Sequence, residues 1–162
     1  MPGYKIVRMD PKQHKETSLV VYIHYSLTLK RLHHLEQHAV ESVWIELNLK
    51  RASPLLLGFV YRNPAERVDW TDNFISMTDA VCLESKEIIL LGDFNIDLLK
   101  PNKSWLQTLE NYHRCQLIST PTRVTATSKT LIDHIYVSNK SNVIETCVPV
   151  FGCSDHFPVC LT

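Results

Sequence analysis

The chain has 162 residues, 44% of them apolar, which suits one folded domain with a real core and argues against a disordered chain. Its 17 Lys and Arg equal its 17 Asp and Glu, so the formal charge is zero and no uniformly basic surface is dictated; nucleic acid stays open as a partner, because local distribution counts more than the sum. The five cysteines (Cys82, Cys115, Cys147, Cys153, Cys160) are odd in number and form no C-x-x-C pair, which argues against a disulfide framework and for an intracellular compartment, nuclear or cytoplasmic. No apolar run approaches the roughly 20 residues of a membrane span, and the opening "MPGYKIVRMDPK" has no apolar signal region.

In chain order, residues 4–9 read as a short strand and "SLVVYIHYSL" (18–27), apolar, β-branched and aromatic, as a buried one. "LKRLHHL" (29–35) fits strand or helix. "SVWIELNL" (42–49) alternates, with Val43, Ile45, Leu47 and Leu49 on one side. After the turn "KRASP" comes a strand, "LLLGFVYR" (55–62), stopped by "NPAE". Residues 68–84 predict a helix, with Trp70, Phe74, Met77 and Val81 on one stripe. "EIILLGDF" (87–94) suits a strand buried on both faces. Residues 102–115 predict a second helix with Trp105, Leu109 and Tyr112 inward. Five strand-like pieces follow: "QLIST", "TRVTAT", "LIDHIYVS", "VIETCVPVF" and "FPVCLT". Cys147 and Cys160 lie in apolar runs and are read as small buried hydrophobes. Many strands with two helices between them predict an α/β sandwich, sheets packed together and helices outside.

Two motifs carry chemistry. "LLGDFNID" closes a strand with Asp93, Asn95 and Asp97. Asp93 and Asn95 are two apart, so in extended chain they point the same way and can hold a water and a phosphate oxygen; the bland alternative is a turn that merely ends the strand. "GCSDHFPV" supplies Asp155 and His156, suited to a metal and a phosphate, or else a polar turn. Asp133 lies in an apolar strand, "TLIDHIYV", where a carboxylate needs a partner. It can orient an imidazole from another strand, whereas His134, its neighbour, faces the opposite side. Tyr61 and Arg62 end a strand and can donate to phosphate, or be a rim tyrosine and a solvated arginine. His33, His34 and His38 have no cysteine or carboxylate at finger spacing and read as a solvated segment.

Taken together, "GYKIVRMD", "ESVWIEL", "GFVYRNP", "LLGDFNID", "PTRVT", "LIDHIYVS" and "SDHFPV" resemble the endonuclease/exonuclease/phosphatase superfamily, in particular the endonuclease domain of non-LTR (LINE-type) retrotransposons. The resemblance implies a four-layered α/β/β/α sandwich and DNA phosphodiester hydrolysis with Mg²⁺ or Mn²⁺, with no small-molecule cofactor and no membrane. It implies that Asp93 deprotonates the attacking water, Asn95 holds phosphate or nucleophile, Tyr61 contacts phosphate, Asp155 binds metal, His156 contacts the scissile phosphate and Asp133 bonds His156; Asp97 is unassigned. The family's opening strand with its Asn, and the segment with its metal-binding Glu, precede the point matching "PGYKIV", and Glu16, Glu36, Glu41 and Glu46 match neither. The expectation is therefore a single, incomplete domain over 1–162 that lacks the first strands. Its Mg²⁺ affinity should be weak, and an uncovered sheet edge or face near 18–25 or 87–91 should lead to self-association. The alternative is an inactive remnant or a nucleic-acid-binding fragment of a mobile element. A lipid or nucleotide phosphatase is a third reading, disfavoured by the spelling of "LIDHIYVS" and "SDHFPV".

Overall fold

The structure, a computed structural model, describes residues 2–9, 19–37, 39–65, 69–100 and 102–162. Ser18, Glu16, His38 and the expected first residues of the helix at 68 lie outside these or at their margin. The chain divides into two compact units, Met1–Ile88 and Ile89–Thr162.

In the first unit, β1 (Tyr4–Met9) and β2 (Leu19–His24) form an antiparallel pair, with Tyr4 opposite His24 and Met9 opposite Leu19. β3 (Thr28–Arg31), β4 (Glu41–Asn48) and β5 (Leu55–Tyr61) are antiparallel neighbours in that order. The ambiguous run at 29–35 is part strand and part a 3-10 turn, His33–Leu35. β4 buries both faces, which sorts its side chains by parity. Val43 and Ile45 meet Val21 and Ile23 of the hairpin. Trp44, on the other face, donates its indole N–H to Met77 Sδ at 3.4 Å, and Ser42 Oγ meets the same sulfur at 3.4 Å. Met77 belongs to α1 (Trp70–Cys82), whose buried residues include Trp70, Phe74, Met77 and Val81, the stripe predicted by helical spacing. Trp44 has room because its cross-strand partner is Gly58. A Cβ at Gly58 would lie 2.4 Å from the indole. Gly58→Ala should therefore cost about 1–3 kcal/mol by overpacking, seen as a lower denaturation midpoint; an unchanged midpoint would mean that the indole moves aside freely.

The reading of 18–27 as a buried strand needs correction. β2 is half-buried: Val21 and Ile23 face the core, while Val20 and Tyr22 alternate outward. On the same outer face of the hairpin, Ile6 is 53% and Tyr22 51% exposed. Among the described residues the hairpin is covered on one side only, and an apolar run alone does not reveal how many sides are covered.

The second unit is built on β6 (Glu87–Asp93), whose first two residues close the first unit. Next come α2 (Lys103–Asn111), β7 (Cys115–Gln116), β8 (Arg123–Val124), β9 (Lys129–Thr130), β10 (Asp133–Val137), β11 (Thr146–Cys147) and β12 (Cys160–Leu161). β10 pairs antiparallel with both β6 and β7. One face of β10 carries Ile135 and Val137, packed with Ile118, Leu131, Ile89, Leu91, Val148 and Val159. The other face carries His134 and Tyr136, and the Tyr136 hydroxyl oxygen accepts the indole N–H of Trp105 from α2 at 3.0 Å. α2 begins at an Asn102 cap that accepts the Trp105 N–H and stops at Asn111, so Tyr112 lies just past it. The terminal strands are far shorter than the apolar runs that predicted them. Pro149 and Pro158 sit in those runs, and a proline has no N–H to give a ladder. Cys147 and Cys160 face each other across β11 and β12. Both are free thiols; Cys147 is exposed and Cys160 half-buried, so the expectation of buried hydrophobes fails for Cys147. The architecture is the expected mixed α/β class with a central multi-stranded sheet.

Candidate active site

The site begins with strand parity. On β10, Asp133 shares a face with Ile135 and Val137; on β6, Asp93 shares one with Leu91 and Ile89. The antiparallel register sets Asp133 directly opposite Asp93. Two carboxylates therefore stand side by side at the end of an apolar layer. Gly92, just before Asp93, takes φ +150°, a region that a side chain disfavours.

His156 reaches this pair through a splint. Thr122, fully buried, accepts the N–H groups of Ile132 and Asp133 on its Oγ1 at 3.1 and 3.0 Å, tying residue 122 to the start of β10. The same segment then pairs with 155–157: Phe157 N–H donates to Thr122 O at 2.6 Å, Val124 N–H to Asp155 O at 2.8 Å, and Arg123 and His156 form a bridge pair between them. The His156 ring lands on Asp133, with Nδ1 at 3.2 and 3.1 Å from the two carboxylate oxygens. A carboxylate only accepts, so Nδ1 carries a proton, and Nε2 is the ring nitrogen left over. It has no partner among the described residues.

Asp93, Asp133 and His156 each offer one ligand atom, all within 4.8 Å of one another. Burial pushes the Asp93 carboxyl up to about 6, and the neighbouring Asp133 charge adds to the rise. The Asn95 N–H, donated to Asp93 Oδ1 at 2.9 Å, and the charges of His156 and Arg123 pull it down. Two half-buried acids side by side, one held above its ordinary range, form a donor set that a hard divalent cation relieves, so the residues fit such an ion.

The other sequence candidates are outside the trio. Asn95 is not in extended chain: β6 ends at Asp93, and Asn95 takes φ +48° with its N–H turned back to Asp93. The argument that Asp93 and Asn95 point the same way along a strand is thereby overturned. Asp155 is outside the trio; its Oδ2 accepts from Arg123 Nε at 2.7 Å, which holds its carboxyl below the ordinary range. Asp97 accepts the N–H groups of Leu99 and Leu131, a loop-holding task. Tyr61 ends β5 in the first unit, half-buried. His33 and His34 are exposed, as read from the sequence. Thr122 and Arg123 were missed as individual residues; the "PTRVT" run that contains them was the signal.

His134 is buried and structural. Nε2 lies 3.0 Å from Ile96 O and 3.2 Å from Leu131 O, so it carries the proton. Nδ1 then accepts the Tyr136 O–H at 2.7 Å. The ring stacks on Phe94 with centroids 5.0 Å apart.

Comparison with known proteins gives this geometry a context. The model of the endonuclease/exonuclease/phosphatase family matches residues 13–156, nearly the whole chain. The chain belongs to the endonuclease/exonuclease/phosphatase family. Members of this family are typically nucleases or phosphatases and generally use divalent metals. Among solved structures, the chain is similar to the endonuclease domain of TRAS1, a telomere-specific non-LTR retrotransposon: TM-score 0.81, 14% identity, covering 98% of this chain and 79% of that one. It is also similar to an endonuclease/exonuclease/phosphatase family protein from Leptotrichia buccalis (TM-score 0.69, 14% identity, 98% and 70% covered). A third similar structure is the catalytic domain of APE2 from Xenopus laevis (TM-score 0.68, 15% identity, 100% and 76% covered). At these identities the likeness shows the fold. No curated protein matches the chain.

Proposed function

We propose that this family member is a divalent-metal-dependent phosphodiesterase acting on DNA, an endonuclease of the kind found in non-LTR retrotransposons. The observation that carries the reading is the convergence of Asp93, Asp133 and His156 at one sheet end. Asp93, with a carboxyl pushed up to about 6, is ionised at neutral pH yet basic enough to take a proton from an attacking water. Asp133 fixes the ring of His156 through Nδ1 and pairs with the imidazolium, the form in which Nε2 also carries a proton and can donate to the developing charge on the phosphate. Asn95 and Tyr61 are assigned to phosphate by resemblance. Asp93 and Asp133 would hold Mg²⁺ or Mn²⁺, which when bound neutralises charge on the phosphate and leaving oxygen. Asp155, the metal ligand by resemblance, is held by Arg123 instead, which leaves few acids for the ion. Calorimetry should accordingly show Mg²⁺ binding no tighter than about the millimolar range; stoichiometric micromolar binding would contradict this.

The same ion pair favours the second reading, a chain that binds nucleic acid without cutting it. Plasmid nicking in Mg²⁺ or Mn²⁺, against a chelator control, separates the two. Cation-dependent nicking that falls about 10–100-fold in Asp133→Asn supports the hydrolytic reading. DNA binding with no nicking in either cation supports the second. The uncovered outer face of β1 and β2 is proposed as the place of self-association, and an intracellular location, nuclear or cytoplasmic, suits a DNA substrate. No helix among the described residues is long and apolar enough to cross a membrane.

A further inference from the structure

We infer that Arg123 grips a backbone phosphate of the bound DNA beside the Asp93–Asp133–His156 centre, with Asp155 as the residue that aims it. This rests on the phosphodiesterase reading above. Arg123 and His156 are direct partners in an antiparallel bridge, so their side chains leave the same face next to each other. Asp155 Oδ2 takes only the Nε–H of Arg123, at 2.7 Å. The two terminal nitrogens of the guanidinium have no hydrogen-bond partner among the described residues. A planar fork fixed at its inner nitrogen presents its outer pair in one direction, the geometry in which arginine takes two oxygens of a phosphate. The side chain is 42% exposed, so a ligand can reach it. Its charge also registers on the Asp93 carboxyl, within electrostatic reach of the reacting centre. In this arrangement Asp155 is a positioning residue, and its carboxylate serves the arginine.

A plain surface ion pair is the competing explanation, and such pairs contribute little. Affinity and salt dependence tell the two apart, because each phosphate contact releases counterions and adds about one to the slope of log affinity against log salt. The experiment uses the full chain and a fluorescent 20-base-pair DNA duplex, with anisotropy read from 25 to 200 mM KCl in chelator so that nothing is cut. Arg123→Gln should weaken binding about 5–30-fold and lower the slope by about one. Arg123→Lys, which keeps the charge and guards against a folding defect, should keep the slope but lose affinity with the fork. Asp155→Asn should lose affinity with its slope unchanged, because the arginine stays charged but is no longer aimed. If the parent binds and Arg123→Gln leaves both affinity and slope unchanged, the Arg123 inference is overturned and the phosphodiesterase reading stands. If the parent neither binds the duplex nor nicks plasmid, both are overturned.

Discussion

Asp93→Asn should remove hydrolysis and, at pH 7, make the protein more stable. Burial holds the Asp93 carboxyl at about 6, against 3.8 in the absence of the fold. Between these values the native state binds more protons than the unfolded chain, so this acid lowers stability as pH rises, and above about 6 the full penalty is present. The shift corresponds to about 3 kcal/mol; screening at a half-exposed carboxyl reduces this to about 1–2 kcal/mol. Asn carries no charge to desolvate, and its Oδ1 still accepts the Asn95 N–H that Asp93 holds at 2.9 Å. Activity should fall at least about 100-fold, the usual contribution of a positioned base. Urea unfolding should show the variant ahead at pH 7 and level with the parent only below about pH 3, where Asp93 is protonated folded or unfolded. A variant less stable than the parent at pH 7 would show that the carboxylate is satisfied in the fold and not under strain.

His134 should make the protein labile to acid. Burial lowers its pKa from 6.5 to about 4, with the Leu131 and Ile96 carbonyls pulling weakly the other way. A folded pKa below the unfolded one means that the neutral ring's contribution is complete above about 6.5 and lost as pH falls toward 4. The full loss is about 3 kcal/mol. From about 4 to 6, Asp93 acts with opposite sign, so the parent's stability should change little there. In Asp93→Asn that offset is gone, and stability should fall steeply between pH 6.5 and 4; a flat profile in that variant would contradict the buried neutral ring. His134→Ala should cost about 3–5 kcal/mol at pH 7. It opens a cavity against Phe94 and takes a partner from the Tyr136 hydroxyl and from the Ile96 carbonyl, while Leu131 O keeps the Leu98 N–H.

What could be read in the sequence was what periodicity controls. The 3.6-residue stripe from Trp70 to Val81 became the buried face of α1. The two-residue period of β10 put Asp133 and His134 on opposite faces, and they have opposite tasks, one on His156 and one beneath α2. Asn95 was misread because the extended chain was carried two residues too far. Phe94 is wholly buried with His134, Tyr136 and Trp105, and the backbone turns at Asn95 to allow it. The Arg123–Asp155 contact was not legible, since it joins a two-residue strand to a loop through two backbone hydrogen bonds that leave no repeat to count. Cys147 was misread because an apolar neighbourhood in sequence does not guarantee cover in a strand of two residues.

The central claim, that Asp93 and His156 serve one reacting centre, is tested most directly by a mutant cycle on single-turnover cleavage of labelled duplex DNA in Mn²⁺. Groups that act as a unit are strongly non-additive when removed. Asp93→Asn and His156→Ala should each lower the rate at least about 100-fold, and the double variant should be no slower than about threefold below the weaker single. Cleavage that persists in either single variant, or losses that simply multiply in the double, would place the two residues at separate tasks and contradict a shared site.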